Sequence, residues 1–505
     1  MGKVSARVIG GASYGSLFLG VDRYTALLLA VCSAYFTLVA TQLNETNMGL
    51  TDEIALYTSW RLTAGVAPYR DMWVTQPPVI YVIGVLLLGI NHSYLFVKIF
   101  DVLLSIAITI LVYKLSLRLF NNKKIALASA VIYLALPIRY AIAPAFYPDN
   151  YSLFFMFASV FPLLNQTRRS TLLSSAFSAL AYFTKYTALP IIVANVAYLV
   201  FKKKHLLKYY VIPFVALALS LTALLQVYSE GNYVSQTYPE LAGRSNVRFL
   251  EGLWTIGKWE GLFGLLFAVG VYLYLGKPGR KSYVTMIVPS SFLPSLFMLL
   301  EGYDRSVFNF AEPWIALFAG YAVGRIYSSA STRVGHTKSF LKGGTLVLLV
   351  ALSASTIYLY DLPGKEVPAG VQWKSRDQII SGYVEAVRKY SGTGDTILAL
   401  PIIAFESERQ IAFEVADYIF FQNSFRHGDM HAQYVMKSLM EKLAEKRIRV
   451  IVPEGHIFVS GRDDYSDVTL MQYAFPFNSP QVATLILNNY HPLNVEGVRI
   501  FVPNV

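Results

Sequence analysis

Residues 52 to 78 gather groups suited to acid–base and charge-stabilising chemistry. Asp52-Glu53 opens a helical stretch that continues to Tyr57 and Arg61. Gly65-Val-Ala-Pro-Tyr69-Arg70-Asp71 then makes a turn before Trp73, Gln76 and Pro77-Pro78. A second acid, Asp149, follows Phe146-Tyr147-Pro148 at the start of an apolar run. Lys98, Arg139 and Lys185 lie near the ends of other apolar runs, and a late segment holds Tyr303-Asp-Arg305 and Glu312-Pro313. Each feature has an ordinary explanation. Acids in the first turn of a helix are favoured by its dipole, which would account for Asp52, Glu53 and Asp149. Asp71 could simply pair with Arg70, and Lys98 with Asp101 three residues on. What argues for more is convergence, because the topology developed below puts these groups at one membrane surface. Ionisable groups there are costly unless paired or used.

Carboxylates and cations at a lipid–water boundary suit the displacement of a sugar from a polyprenyl phosphate. The leaving phosphate is already anionic, with a pKa near neutrality. It needs cations to hold developing charge rather than an acid to protonate it. The acceptor hydroxyl needs a base, which a carboxylate can be, at about 10² to 10⁴ in rate.

The elements that must position these groups are membrane helices. Of the 505 residues, 55% are hydrophobic and 15% charged, where a soluble domain carries about 25% charged residues. The net charge of +12 comes from short basic clusters between apolar runs, the pattern of cytoplasmic loops rather than of nucleic-acid binding. One cysteine, Cys32, allows no internal disulfide. The amino-terminal segment reads as preceding a permanent anchor at Tyr24–Thr41, not as a cleaved signal peptide.

Crossing hydrocarbon takes about 20 apolar residues. Tyr24–Thr41 is expected to run outward and Ser93–Leu119 inward to Lys114, Arg118, Lys123 and Lys124. That parity makes Asn44–Pro78 an external loop and forces Pro77–Ile90 to lie at the outer interface without spanning. Ile125–Pro137, Asn150–Leu164, Thr171–Thr184, Thr187–Phe201 and Tyr209–Tyr228 follow, with an external loop over Ser229–Lys258. Gly261–Leu275, Tyr283–Leu300, Trp314–Tyr327 and Gly343–Tyr360 complete about eleven crossings, with every basic cluster on one side.

Beyond Leu362 charges become frequent and apolar runs shorten to strand length. A helix is expected from Ser375 to Tyr390, a strand over Asp395–Leu400, and a helix over Asp429–Lys446. Arg447–Val452 reads as a strand, Gln481–Asn489 as a helix and Val495–Val502 as a closing strand, giving a partly parallel α/β sheet. The fold class is therefore a polytopic α-helical membrane protein, residues 1–361, followed by a small α/β domain, residues 362–505, outside the cytoplasm. In that domain Arg409, Glu414, Arg426, His427, His431 and His456 show no ligand or triad spacing and read as solvated surface.

Asp52-Glu53, then Gly65-x-x-Pro-Tyr-x-Asp71, then Pro77-Pro78, resemble the first external loop of the GT-C glycosyltransferases. The likeness is to protein O-mannosyltransferases and the lipid A aminoarabinose transferase. Asp149 falls where that fold has its second external acid. Phe183-Thr-Lys185-Tyr-Thr resembles the family's Lys-containing turn, and Tyr303-Asp-Arg305 through Glu312-Pro313 resembles its late external loop. Two departures stand out. Gln76 replaces the Lys of the aminoarabinose transferases, and Lys98 stands where Arg is frequent. The Trp-Trp-Asp motif of oligosaccharyltransferases is absent.

The resemblance implies Asp52 as base, with Glu53 and Asp149 nearby, and a dolichyl- or undecaprenyl-phosphate sugar as donor. Lys98, Arg139, Lys185 and Arg305 would hold its phosphate. Tyr69, Arg70, Asp71, Gln76, Tyr147, Tyr303 and Glu312 would contact substrate. The acceptor hydroxyl would belong to protein, lipid or glycan, and the transfer would be inverting. No residue pattern decides for or against a divalent Mg or Mn ion, which would fall to Asp52 and Asp149. The rival expectation is a polytopic transporter or flippase, a class that usually shows internal repeats around a midplane site.

Overall fold

The computed structural model describes residues 22–41, 43, 50–136, 143–237, 249–275, 309–331, 376–412, 430–452, 480–495 and 498–504. Its helices in the membrane part are α1 (Arg23–Ala40), α2 (Leu50–Thr63), α3 (Val79–Ile90), α4 (Tyr94–Phe120), α5 (Lys123–Ala135) and α6 (Pro148–Leu164). They continue as α7 (Arg168–Thr184), α8 (Leu189–Lys202), α9 (Leu207–Tyr228), α10 (Asn232–Thr237), α11 (Phe249–Leu275) and α12 (Glu312–Ser331). Among the described residues, three helical stretches are long and apolar enough to cross a membrane alone: Arg23–Ala40, Tyr94–Phe120 and Lys204–Tyr228. The expected spans at 283–300 and 343–360 lie outside the described residues.

Contacts between helix ends show that the bundle has two distinct poles. At one pole Lys123 pairs with Asp22 at 3.2 Å, Arg118 donates to Asn165 at 2.8 Å, and the Lys124 ammonium lies 5.5 Å from the Tyr327 ring. The start of α1, the join of α4 and α5 and the ends of α6 and α12 therefore meet where the basic residues are. At the other pole Lys98 donates to the Leu43 carbonyl at 2.6 Å, Asn309 to Asn150 at 3.3 Å, and Arg70 lies 5.7 Å from the Tyr228 ring. The alternation inferred from positive charge thus matches the way these helices pack.

Helix α3 has 12 residues, about 18 Å at 1.5 Å per residue, too short to span hydrocarbon. It lies against α2 so closely that a Cβ on Gly84 would sit 2.0 Å from Ser59 Oγ. Glycine is what permits that approach.

Two expectations need correction. The loop foreseen over 229–258 contains α10 and the first turns of α11, a 27-residue helix beginning at Phe249. No proline interrupts 249–275, and a helix leaving hydrocarbon continues through charged positions. Lys98 and Asp101 do not satisfy each other: Lys98 reaches Leu43, while Asp101 accepts the Tyr151 hydroxyl.

The carboxy-terminal part comprises α13 (Arg376–Tyr390), β1 (Thr396–Leu398), α14 (Pro401–Ser407), β2 (Gln410–Ile411), α15 (Met430–Ala444) and β3 (Ile448–Ile451). Helix α16 (Pro480–Asn489), β4 (Tyr490–Val495) and β5 (Val498–Pro503) complete it. The strands run in the order β2-β1-β3-β5-β4. β1 is parallel to β2 and β3, and the β4–β5 hairpin is antiparallel. The single closing strand expected at 495–502 is thus a hairpin, and α14 and β2 were not foreseen. Strand β4 is hidden in sequence by Pro492, which an edge strand accommodates because it need not donate on its open side.

Candidate active site

Helix α6 opens with Pro148 in its first turn, a position where the missing N–H is no loss. Asp149 and Asn150 follow, both fully buried. Helix α7 ends on Lys185, whose own N–H donates to Ala181 O at 3.0 Å. The backbone then enters a 3₁₀ turn at Tyr186–Ala188 and turns back into α8. This reversal brings the Lys185 ammonium to 2.7 Å from Asp149 Oδ2, with the Asp149 side chain wholly covered. The same ammonium lies 5.5 Å from the centre of the Tyr147 ring. A lysine has three N–H donors, and the bond to Asp149 fixes where its head group lies.

Asp52 and Glu53 occupy the first turn of α2 and are fully buried. Asp101, on the second turn of α4, lies close enough to Asp52 for their charges to interact. Its carboxylate accepts the Tyr151 hydroxyl, and Tyr151 is two residues beyond Asp149. Phe100 stacks on Tyr151 at 6.5 Å and Phe146 meets it edge-on at 5.5 Å. Asp52 is thus joined through Asp101 and Tyr151 to the helix start that carries Asp149. The acids foreseen as a group share one pole.

The 64–78 loop is a second rigid piece. Asp71 is held twice, by Arg70 at 2.8 and 2.9 Å and by the Ala67 N–H at 3.0 Å. The Arg70 guanidinium keeps the Asp71 carboxyl below the usual carboxylate range. Tyr69 is buried with φ +67°, a left-handed conformation rare for a bulky residue. Its N–H donates to Met72 O at 2.9 Å and its hydroxyl to Gln76 O at 2.7 Å. Burial lifts its phenol well above its ordinary pKa.

Of the other foreseen residues, Glu312 is buried at the start of α12, three positions after Asn309, which donates to Asn150. Gln76 is buried in the loop. Lys98 lies 4.4 Å from the Tyr94 ring and donates to the Leu43 carbonyl just past the end of α1. Arg139, Tyr303 and Arg305 lie outside the described residues, as do Glu414, Arg426, His427 and His456. Arg409, expected on the surface, is buried and donates to Ser391 Oγ and O at 3.0 and 2.8 Å. It is a structural tie. Among the described residues no three carboxylate, imidazole or thiol side chains come together. Of the Asp149 carboxylate, the Lys185 ammonium takes Oδ2.

Residues 75–228 match the family described as dolichyl-phosphate-mannose-protein mannosyltransferase. The whole chain superposes on ArnT from Cupriavidus metallidurans bound to undecaprenyl phosphate, with a TM-score of 0.62 and 13% identity. That match covers 95% of this chain and 98% of the other. The apo form of the same protein gives 0.61 at 13% identity, again with 95% and 98% covered. An oligosaccharyltransferase from Archaeoglobus fulgidus, tethered to an acceptor peptide containing the NVT sequon, gives 0.53 at 11%, covering 96% and 74%. No curated protein sequence matches. At these identities the structural likeness is one of fold, and the family match covers residues 75–228 alone.

Several residues at this pole were not foreseen from the sequence. Asn150 and Asn309 bridge α6 and the start of α12, and the only sequence signal was the adjacency of Asn150 to Asp149. Asp101 was read as a partner for Lys98 because spacing on one helix was the only geometry available. Tyr57, on the helix of Asp52, accepts the Ile411 N–H of β2 at 2.9 Å, 354 residues away. No local pattern announces a contact of that range.

Proposed function

We propose that the chain transfers a sugar from a polyprenyl phosphate to an acceptor hydroxyl on protein, lipid or glycan, at the outer face of the membrane. Asp52 takes the proton of the acceptor hydroxyl. The freed oxygen attacks the anomeric carbon opposite the phosphate, and the bond between that carbon and the phosphate oxygen breaks. The phosphate leaves with the bonding electrons, and the configuration at carbon inverts. Lys185, oriented by Asp149, meets the charge that gathers on the departing oxygen. A fixed cation in a dry site stabilises such charge more than water can.

The single observation that carries this reading is the buried Lys185–Asp149 pair at the pole that also holds Asp52. The undecaprenyl phosphate bound in ArnT supports the class of lipid carrier. A base and a phosphate-binding ammonium at one membrane boundary fit a lipid donor that cannot leave the bilayer.

The test is single-turnover transfer of radiolabelled sugar from polyprenyl-phosphate donors to membrane acceptors, with purified protein in nanodiscs. Wild type should consume a donor, while Asp52→Asn should still bind undecaprenyl phosphate without turning a donor over. Turnover by Asp52→Asn close to wild type would remove Asp52 from the chemistry.

A further inference from the structure

The short helix α10 stands between the two rigid pieces of the site. Gln236 is buried, and its side-chain amide is used at both ends. Its Nε2 donates to Tyr69 O at 2.8 Å, and its Oε1 accepts the Val74 N–H at 3.1 Å. A primary amide used this way imitates a peptide group of a missing neighbouring strand. It spans the turn that contains Arg70 and Asp71, and it holds the left-handed Tyr69 from outside. Without it a buried carbonyl and a buried N–H would each lose a partner.

The same side of α10 also holds the lysine turn. The Tyr233 and Tyr186 hydroxyls are 2.6 Å apart, and Tyr186 also donates to Thr237 Oγ1 at 3.3 Å. Tyr186 directly follows Lys185. The Tyr69 and Tyr233 rings meet edge-on at 4.9 Å and close the gap between the two turns. The separation of the 69–74 turn from the Lys185 head group is therefore set through one helical turn of α10.

We propose that Gln236 is a positioning residue, holding the 69–74 turn in register with the Lys185 turn so that the carrier phosphate meets a preformed site. This rests on the assignment of Lys185 to the phosphate in the proposed function. Rigid placement of this kind is where rate and affinity are lost when a support is removed, even far from the chemistry.

The test is the affinity of purified full-length protein in nanodiscs for undecaprenyl phosphate, measured between about pH 5 and pH 8, the range in which the phosphate itself titrates. Each variant is expressed relative to wild type at the same pH, which cancels that titration. Gln236→Ala removes both bonds and should weaken binding at least about tenfold at every pH. Gln236→Glu keeps the acceptor for Val74 N–H but sets a second oxygen against the Tyr69 carbonyl. Its protonated form regains the donor, so Gln236→Glu should match the alanine variant at high pH and recover toward wild type as pH falls. A residue that merely helps the chain fold would not give that pH-dependent recovery. Equal, pH-independent behaviour of wild type and both variants, with Lys185→Ala impaired, would overturn the proposal for Gln236. Unimpaired binding by Lys185→Ala would instead overturn the assignment of Lys185 on which it rests.

Discussion

At the scale of single residues, substitutions can part the proposed chemistry of Lys185 and Asp149 from the stability of their buried pair. Removing one member of a buried ion pair strands the other charge, at about 3–5 kcal/mol, whereas replacing both by apolar residues is often neutral. Asp149→Leu should therefore lower the thermal midpoint of the purified protein clearly, and Asp149→Leu combined with Lys185→Met should restore much of it. Activity should stay lost in the double variant. Transfer by a stable double variant at wild-type rate would show the pair to be structural only. Asp71 makes the contrasting case. Its folded pKa is depressed by Arg70, so the stability it contributes is complete above the unfolded value near 3.8 and fades only as pH falls below it. Asp71→Asn should leave the acid limb of the rate profile in place. A shift of that limb near neutrality would tie Asp71 to the titrating step. Asp52, Asp149 and Lys185 were legible in the sequence as types and sides. That Asp149 touches Lys185 was not, because nothing local relates residues 36 positions apart.

At the scale of elements, helix α2, which carries the proposed base Asp52, is set by how near α3 can come. A Cβ at Gly84 would meet Ser59 Oγ at 2.0 Å and Phe146 at 3.1 Å, while one at Gly89 meets nothing within 4 Å. Both glycines lie on α3, so they share the helix-propensity gain of replacing glycine and differ in clearance. Gly89→Val should leave thermal stability and transfer near wild type. Gly84→Val should force α2 away, at about 1–3 kcal/mol for overpacking, and should reduce turnover by moving Asp52. Equal behaviour of the two variants would mean that α3 does not position α2. The apolar length and double proline of this segment made α3 legible as a non-spanning helix. The close approach at Gly84 could not be foreseen, since a glycine among Ile, Val and Leu reads equally well as a lipid-facing position. α10 was missed for a related reason: six residues with two Tyr, a Gln and a Thr carry no periodic signal, and their order comes from the partners they meet in space.

At the scale of the whole molecule, the carboxy-terminal sheet rests on the site pole. Tyr57 of α2 accepts the Ile411 N–H, Trp60 meets Phe405 edge-on at 6.0 Å, and His92 stacks on Phe405 at 5.2 Å. Strand β2 is an edge of its sheet, and an edge with unpaired N–H groups needs a cover; Tyr57 and α14 against α2 provide it. A change of composition near residue 362 was visible in the sequence, but where the carboxy-terminal sheet docks was not. The docking ties its side to that of the 64–78 loop, and the helices fix the relation of both to the basic pole. Helix α8 runs 14 residues from the Lys185 turn to Lys202, about 21 Å away, so His205 must lie at the far pole. The lone Cys32 is buried, which permits a labelling experiment in a Cys32→Ala background. Ala64, His205 and Glu445 are exposed. Ala64→Cys and Glu445→Cys should both react with a membrane-impermeant maleimide on intact cells, and His205→Cys only after permeabilisation. Ala64 and Glu445 reacting from opposite sides would be incompatible with the Tyr57–Ile411 contact. Both reacting only after permeabilisation would keep the fold and move the transfer to the cytoplasmic face, because the base, the lysine and the sheet share one pole and must change sides together.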